Sequence, residues 1–121
     1  MPRRNEFVTY LLEQLAPLGE VSAKSMFGGW GVYHEGRMFA LVADDTLYLK
    51  VDDANRGDFE REGLQPFRYQ RKAEEVAVMG YYQPPAAAID DRELLCTWAR
   101  KGIDAATRAA EKKRAQPKRR K

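Results

Sequence analysis

Residues 25–33, SMFGGWGVY, place Gly28, Gly29 and Gly31 among Met26, Phe27, Trp30 and Tyr33. A glycine-rich stretch is where phosphate chemistry is sought first, because glycine lets backbone N–H groups close around an anion. A phosphate loop needs Gly-x4-Gly-Lys-Ser/Thr between a strand and a helix. Here Lys24-Ser25 precede the glycines, and the residues after the glycines read as another strand. GGWG also lacks the Gly-x-Gly-x-x-Gly spacing of dinucleotide sites. The glycines therefore read as backbone geometry: Gly28-Gly29 for a bend or bulge, and Gly31 for a shallow trough opposite a small residue.

Other reactive side chains are few. His34 is the sole histidine and stands beside a turn, where solvation is expected; no serine or cysteine is placed to form a nucleophilic pair with it. Cys96, the sole cysteine, falls on a helical pattern near Leu95 and Trp98 and reads as an inert thiol. One histidine and one cysteine cannot supply the usual zinc ligands. Asp44/Asp45 and Asp52/Asp53 allow an oxygen-ligand cation site in form, and read as turn and helix-cap residues. Glu74/Glu75 lie in an expected loop without an acid–base partner. No catalytic, metal-binding or cofactor-binding residue is assigned, and the expectation is a protein without enzymatic activity or cofactor.

The elements that position these residues are set by periodicity. Phe7, Tyr10, Leu11 and Leu15 form one stripe of a helix over residues 4–15, ended by Pro17 and Gly19. Residues 23–51 read as a three-stranded meander with two-residue turns at Glu35-Gly36 and Asp44-Asp45. Turn arithmetic then pairs Val42 with Leu47, Ala40 with Leu49, Met38 with Val51, Tyr33 with Met38 and Gly31 with Ala40. It puts Trp30, Val32, Phe39, Leu41, Tyr48 and Lys50 together on a second, mostly apolar face. Such a face needs either a covering helix or a partner. Residues 52–63 read as a short helix capped by Asp52 or Asp53 and stopped by Gly63. Phe67/Tyr69 and Val76–Tyr82 form a second hairpin with a longer loop, ended by Pro84-Pro85. A long helix begins at Asp90, with Glu93 three residues on, and runs to about residue 113, Gly102 permitting a close crossing. The fold class expected is α+β: a single domain with an antiparallel sheet of about five strands, an N-terminal helix, a short middle helix and a long C-terminal helix.

Charge divides the chain unevenly. Residues 111–121, EKKRAQPKRRK, hold seven cations against one carboxylate, +6, whereas the preceding residues hold 14 Lys/Arg against 17 Asp/Glu, −3, within an overall +3. The expected organisation is a domain over 1–110 and a basic flexible tail over 111–121. Lys112, Lys113, Arg114, Lys118, Arg119, Arg120 and Lys121 are the candidate nucleic-acid contacts; without aromatics they would reach phosphates and not bases. No apolar run approaches the ~20 residues that cross a bilayer, and MPRRNEF turns polar too soon for a signal peptide. With a single cysteine besides, a cytoplasmic protein is expected.

The run KSMFGGWGVYHEGRMFALVADDTLYLKVDDANRGDFEREG, together with the later PFRYQ, MGYYQPP and LLCTWARKG, resembles the TfoX/Sxy N-terminal domain family over about residues 5–110. The resemblance implies an α+β regulatory module of bacteria. Family proteins are linked to natural competence, as transcriptional coactivators alongside the cyclic-AMP receptor protein. Met26, Phe27, Gly28, Gly29, Gly31 and Tyr33 match its motif as fold determinants, and no catalytic or ligand residue carries over. In full-length competence regulators a helical domain comes after this one; the basic tail in its place implies a stand-alone relative. A protein partner is expected, either the transcription machinery or the cyclic-AMP receptor protein. DNA contact through the tail and a small-ligand or enzymatic role are the alternatives, and a dimer is compatible with the apolar face.

Overall fold

A computed structural model describes residues 6–26 and 28–115, with side chains through residue 113. The elements are α1 (Glu6–Gln14), a 3₁₀ turn (Ala16–Leu18), β1 (Val21–Met26), β2 (Gly29–His34), β3 (Arg37–Ala43), β4 (Thr46–Lys50), α2 (Arg56–Arg61), β5 (Pro66–Arg71), β6 (Glu74–Tyr82), a second 3₁₀ turn (Ala86–Asp90) and α3 (Arg92–Ala115). The strands form one antiparallel sheet in the order β1-β2-β3-β4-β6-β5, with three helices, in an α+β domain. The sheet has six strands, one more than expected, because Gly28 at φ 79° turns the chain back and makes β1 a strand of its own, paired with β2.

Both short turns form as expected. Glu35 and Gly36 have φ of 50° and 84°, and Asp44 and Asp45 have φ of 52° and 54°. Positive φ at both central positions matches the right-handed twist of the flanking strands. Tyr33↔Met38, Ala40↔Leu49 and Val42↔Leu47 pair as the turns dictate. Beyond Tyr33 the register departs from expectation: Val32, and not Gly31, pairs with Ala40, and Gly31 pairs with Leu41. Phe39 is the extra residue of a β-bulge, and its insertion puts Trp30, Gly31, Val32 and Tyr33 of β2 on the faces opposite those expected relative to Ala40–Ala43 and β4. Val51 also leaves the β3 ladder, its N–H donating to the Gly80 carbonyl at 2.8 Å.

The core lies on one side of the sheet. Phe39, Ala40, Val42, Leu47, Leu49 and Val32 pack under α1 and α3 with Val8, Leu11, Leu15, Leu95 and Ala99. α2 adds Phe59, whose ring sits 5.0 Å from Trp98 of α3. Gly102 lets α3 come down onto β3 and β4. The buried Asn55 amide joins three segments: it accepts from the Asp52 N–H at 2.8 Å and donates to the carbonyls of Lys50 and Lys101 at 3.3 and 3.0 Å. Gly63, at φ 70°, ends α2, with its own N–H and that of Leu64 returning to the carbonyls of Glu60 and Phe59. The cap of α3 is Asp91, one residue later than expected, with its carboxylate accepting the Leu94 N–H at 3.0 Å. Asp90 instead accepts from the Tyr10 hydroxyl at 3.0 Å. The β5–β6 connection is a two-residue turn at Lys72-Ala73 and not the longer loop expected.

Candidate interaction surface

The bulge at Phe39 decides which side chains the sheet presents. Inward alternation puts Trp30 and Val32 on the helix side with Ala40 and Val42; outward alternation puts Gly31 and Tyr33 with Met38, Leu41, Tyr48 and Lys50. Of the six surface candidates from sequence, Leu41, Tyr48 and Lys50 therefore share the outward face. Val32 and Phe39 are buried at 1% and 0% exposure, and Trp30 packs half-buried against the core. The face-sharing expected of all six fails at the bulge.

Residues that arithmetic had put on the other face complete the outward one. A Cβ at Gly31 would meet Met26 Sδ at 2.9 Å, Tyr33 at 3.2 Å and Met38 Sδ at 3.3 Å. The trough expected over Gly31 is thus filled by two thioethers and a ring. Lys24 Nζ rests 5.2 Å from the centre of the Tyr33 ring, and Lys50 Nζ rests 5.5 Å from that of Tyr81. Tyr48 meets Phe67 edge-on with centroids 4.9 Å apart, and Phe67 stacks on Tyr69 at 6.1 Å. Aromatic contact thus runs from the sheet onto the β5–β6 hairpin, which carries Tyr69 and Met79, the exposed large hydrophobics at 41% and 46%. Burial pushes the Tyr48 and Tyr81 hydroxyls up, with Tyr33 adding to the shift at Tyr81. The outward positions of β1–β4 hold the cations Lys24 and Lys50 and no carboxylate.

Every described helix lies on the other side of the sheet, so this face is covered by none of them. A hollow of about 140 Å³ is lined by Met26, Gly29, Leu41, Ala43 and Phe67 together with Trp30 and Val42. The pairing of Tyr33 and Met38 with Leu41 and Tyr48 was not legible before the bulge was known. The signal that could have shown it is the alternation of aromatics in PFRY and YY: Phe67, Tyr69 and Tyr81 need a home on one side, while Tyr82 enters the core beside Phe59.

The remaining candidates fall into structural roles. His34 is half-buried, not solvated, with Nε2 3.0 Å from the Leu18 carbonyl oxygen. Cys96 is buried, its thiol donating to the Gln14 carbonyl at 3.4 Å; burial pushes it up, against the pull of Arg100 and Arg92. Gly28 and Gly29 edge a hollow shared with Asp44 and Asp45, whose carboxylates oppose an anion. A Cβ on Gly29 would collide with the Val42 carbonyl oxygen. Asp52 is a turn cap, accepting the N–H groups of Ala54 and Asn55, and it holds Arg108 at 2.8 and 2.9 Å. Among the described residues no group of three His, Cys, Asp or Glu is placed to hold a metal ion, and no helix is long and apolar enough to cross a membrane.

Lys112 and Lys113 are exposed near the end of α3, and the backbone of Arg114 continues the helix. Lys118, Arg119, Arg120 and Lys121 lie outside the described residues, as does Phe27.

Comparison with known proteins identifies a family for most of the chain. Residues 13–106 match the model of the TfoX N-terminal domain. A 65-residue stretch is 35% identical to DNA transformation protein TfoX1 of Aliivibrio fischeri, covering 54% of this chain and 31% of that protein. A 76-residue stretch is 33% identical to DNA transformation protein TfoX of Haemophilus influenzae, covering 62% of this chain and 34% of that protein. The chain thus spans about a third of the length of these relatives.

Proposed function

The chain belongs to the TfoX N-terminal domain family, and on that premise we propose that it is a non-enzymatic regulatory module that works by holding a protein partner on the outward face of its sheet. The observation that carries this reading is the group of Tyr33, Met38, Leu41, Tyr48, Phe67 and Tyr81 on a face that no described helix covers. Large aromatic and thioether side chains at the centre of a patch, with lysines at its margin, supply contact area and adaptability. Two relatives are named for DNA transformation, so the process served is competence. The partner to try first is the cyclic-AMP receptor protein, which the family resemblance implies.

The test is calorimetric titration of the chain into cyclic-AMP receptor protein loaded with cyclic AMP. Binding is expected, and Leu41→Glu or Tyr48→Glu should weaken it at least tenfold while the thermal melt shows an intact fold. Absence of binding removes this partner. Binding indifferent to both substitutions removes the face.

A second reading rests on the exposed Lys112 and Lys113, which head the basic block of residues 111–121. They and the cations after them would neutralise DNA phosphates without reading sequence. The logarithm of affinity for duplex DNA should then fall with that of salt, with a slope of up to about −6. Deleting residues 112–121 should flatten it; an unchanged slope rejects the idea.

A further inference from the structure

β1 forms one edge of the sheet, paired on one side with β2 alone. The Glu35 N–H donates to the Glu20 carbonyl at 3.1 Å, which sets the phase of that ladder. In an antiparallel pair the bonding direction alternates along the strand, so the N–H and C=O groups of Val21, Ala23 and Ser25 point away from β2, to the open edge. Folded proteins blunt such edges with proline, bulges, very short strands or charged side chains such as lysine, which repel a second edge unless a carboxylate opposes them. β1 has six residues, no proline and no irregularity in its pairing with β2.

The side chains along this edge form a pattern. Residues 20–24 read Glu-Val-Ser-Ala-Lys. Val21 and Ala23 pack towards the core, so Ser22 and Lys24 stand on the outward face, and Glu20 continues their row. Glu20 and Lys24 are exposed, and neither joins an ion pair among the described residues. Four residues of extended chain, about 13 Å, keep them from meeting each other. About Ser22 the segment is self-complementary: opposite charges two residues to either side, small apolar residues one to either side.

We propose that β1 pairs antiparallel with β1 of a second copy, about a two-fold axis at Ser22. Ser22 then faces Ser22 of the second copy, and Glu20 faces Lys24 of the second copy at both ends. Val21 and Ala23 of the second copy meet through the backbone groups that point to the open edge. Directly opposite side chains lie about 5 Å apart at Cβ, within reach of an ion pair. This isologous contact closes on itself and joins two sheets into one, with both outward faces on the same side. It rests on the β1 edge and on no property of a protein partner, so it stands or falls apart from the function proposed above.

The test is sedimentation equilibrium of the purified chain over a wide concentration range. A monomer–dimer equilibrium is expected. Glu20→Lys alone, or Lys24→Glu alone, places like charges opposite each other at two points and should raise the dissociation constant about tenfold or more. An equimolar mixture of the two variants again opposes unlike charges and should recover association as a heterodimer, as should the double variant with itself. Both positions are exposed, and unchanged thermal melts at low concentration establish that each variant folds. A chain that stays monomeric throughout, or a dimer indifferent to the single changes, or single variants whose mixture does not recover, overturns the proposal.

Discussion

Gly102 lies against the backbone of β3: a Cβ built there would stand 2.9 Å from the Phe39 carbonyl oxygen and 3.3 Å from the Lys50 nitrogen. The long helix thus rests directly on the bulge that sorts the sheet's faces. Gly102→Ala should gain about 1 kcal/mol of helix propensity and still lower stability by about 1–3 kcal/mol, since backbone atoms of a paired sheet cannot give way as a side chain would. Urea unfolding measures the difference. A more stable variant would mean that the helix stands further off the sheet than described.

Phe39 and Tyr48 separate core from surface. Phe39 is 0% exposed and Tyr48 is half-buried on the outward face. Phe39→Ala should cost about 3–5 kcal/mol, as aromatic deletions in cores do. Tyr48→Ala removes only a half-buried ring and its edge contact with Phe67, and should cost well under half of that. Comparable losses in chemical denaturation would place both rings on one side and refute the bulge.

Much of this scaffold was legible in the sequence, and the exception that most affects the site is the bulge. Glu35-Gly36 and Asp44-Asp45 marked their turns because positive φ restricts the residues that can stand there. Gly63 and Pro84-Pro85 marked ends for equally local reasons, a left-handed backbone and a missing N–H. The bulge has no such mark, since Phe39 is neither glycine nor proline, and yet it moved Trp30, Val32, Gly31 and Tyr33 to faces opposite those expected. The candidate surface was therefore half legible: Leu41, Tyr48 and Lys50 lie on the turn-fixed side of the bulge, and Trp30 and Val32 beyond it. The offset between Asp90 and Asp91 is of the same kind, because two adjacent aspartates are equivalent until Tyr10 binds one of them.

Asp52 gives a pH dependence with a definite sign. The hydrogen bond from Arg108 is the main cause holding its carboxyl below the usual 3.8. A depressed folded value contributes stability that is fully present above the unfolded value and lost as pH falls through the folded one. Arg108 is 42% exposed and Asp52 30%, so solvent screening keeps the pair in the range of about 0–1 kcal/mol. Asp52→Asn can still accept the N–H groups of Ala54 and Asn55. Its unfolding free energy should therefore vary less with pH below about 4 than that of the unchanged chain, and Arg108→Ala should behave alike. Parallel curves for all three would deny the pair any part in acid sensitivity.

Cys96 should behave as a concealed thiol. Burial raises it, and its sulfur is turned to the Gln14 carbonyl. A disulfide reagent at mildly alkaline pH should react many-fold faster with the urea-unfolded chain than with the folded one. Equal rates would show that the contact between α1 and α3 opens readily.

The one-sided placement of the helices has a consequence for how this scaffold can diverge. Apart from Gly29 and Gly31, where an added Cβ would crowd its neighbours, the side chains that project from the bare side of β1–β4 do not fill the interior, so exchanging them leaves the packing beneath in place. Recognition chemistry can be rewritten at those positions, by natural drift or by design, while the folding energetics stay with Phe39, Leu49, Phe59 and Trp98 on the reverse.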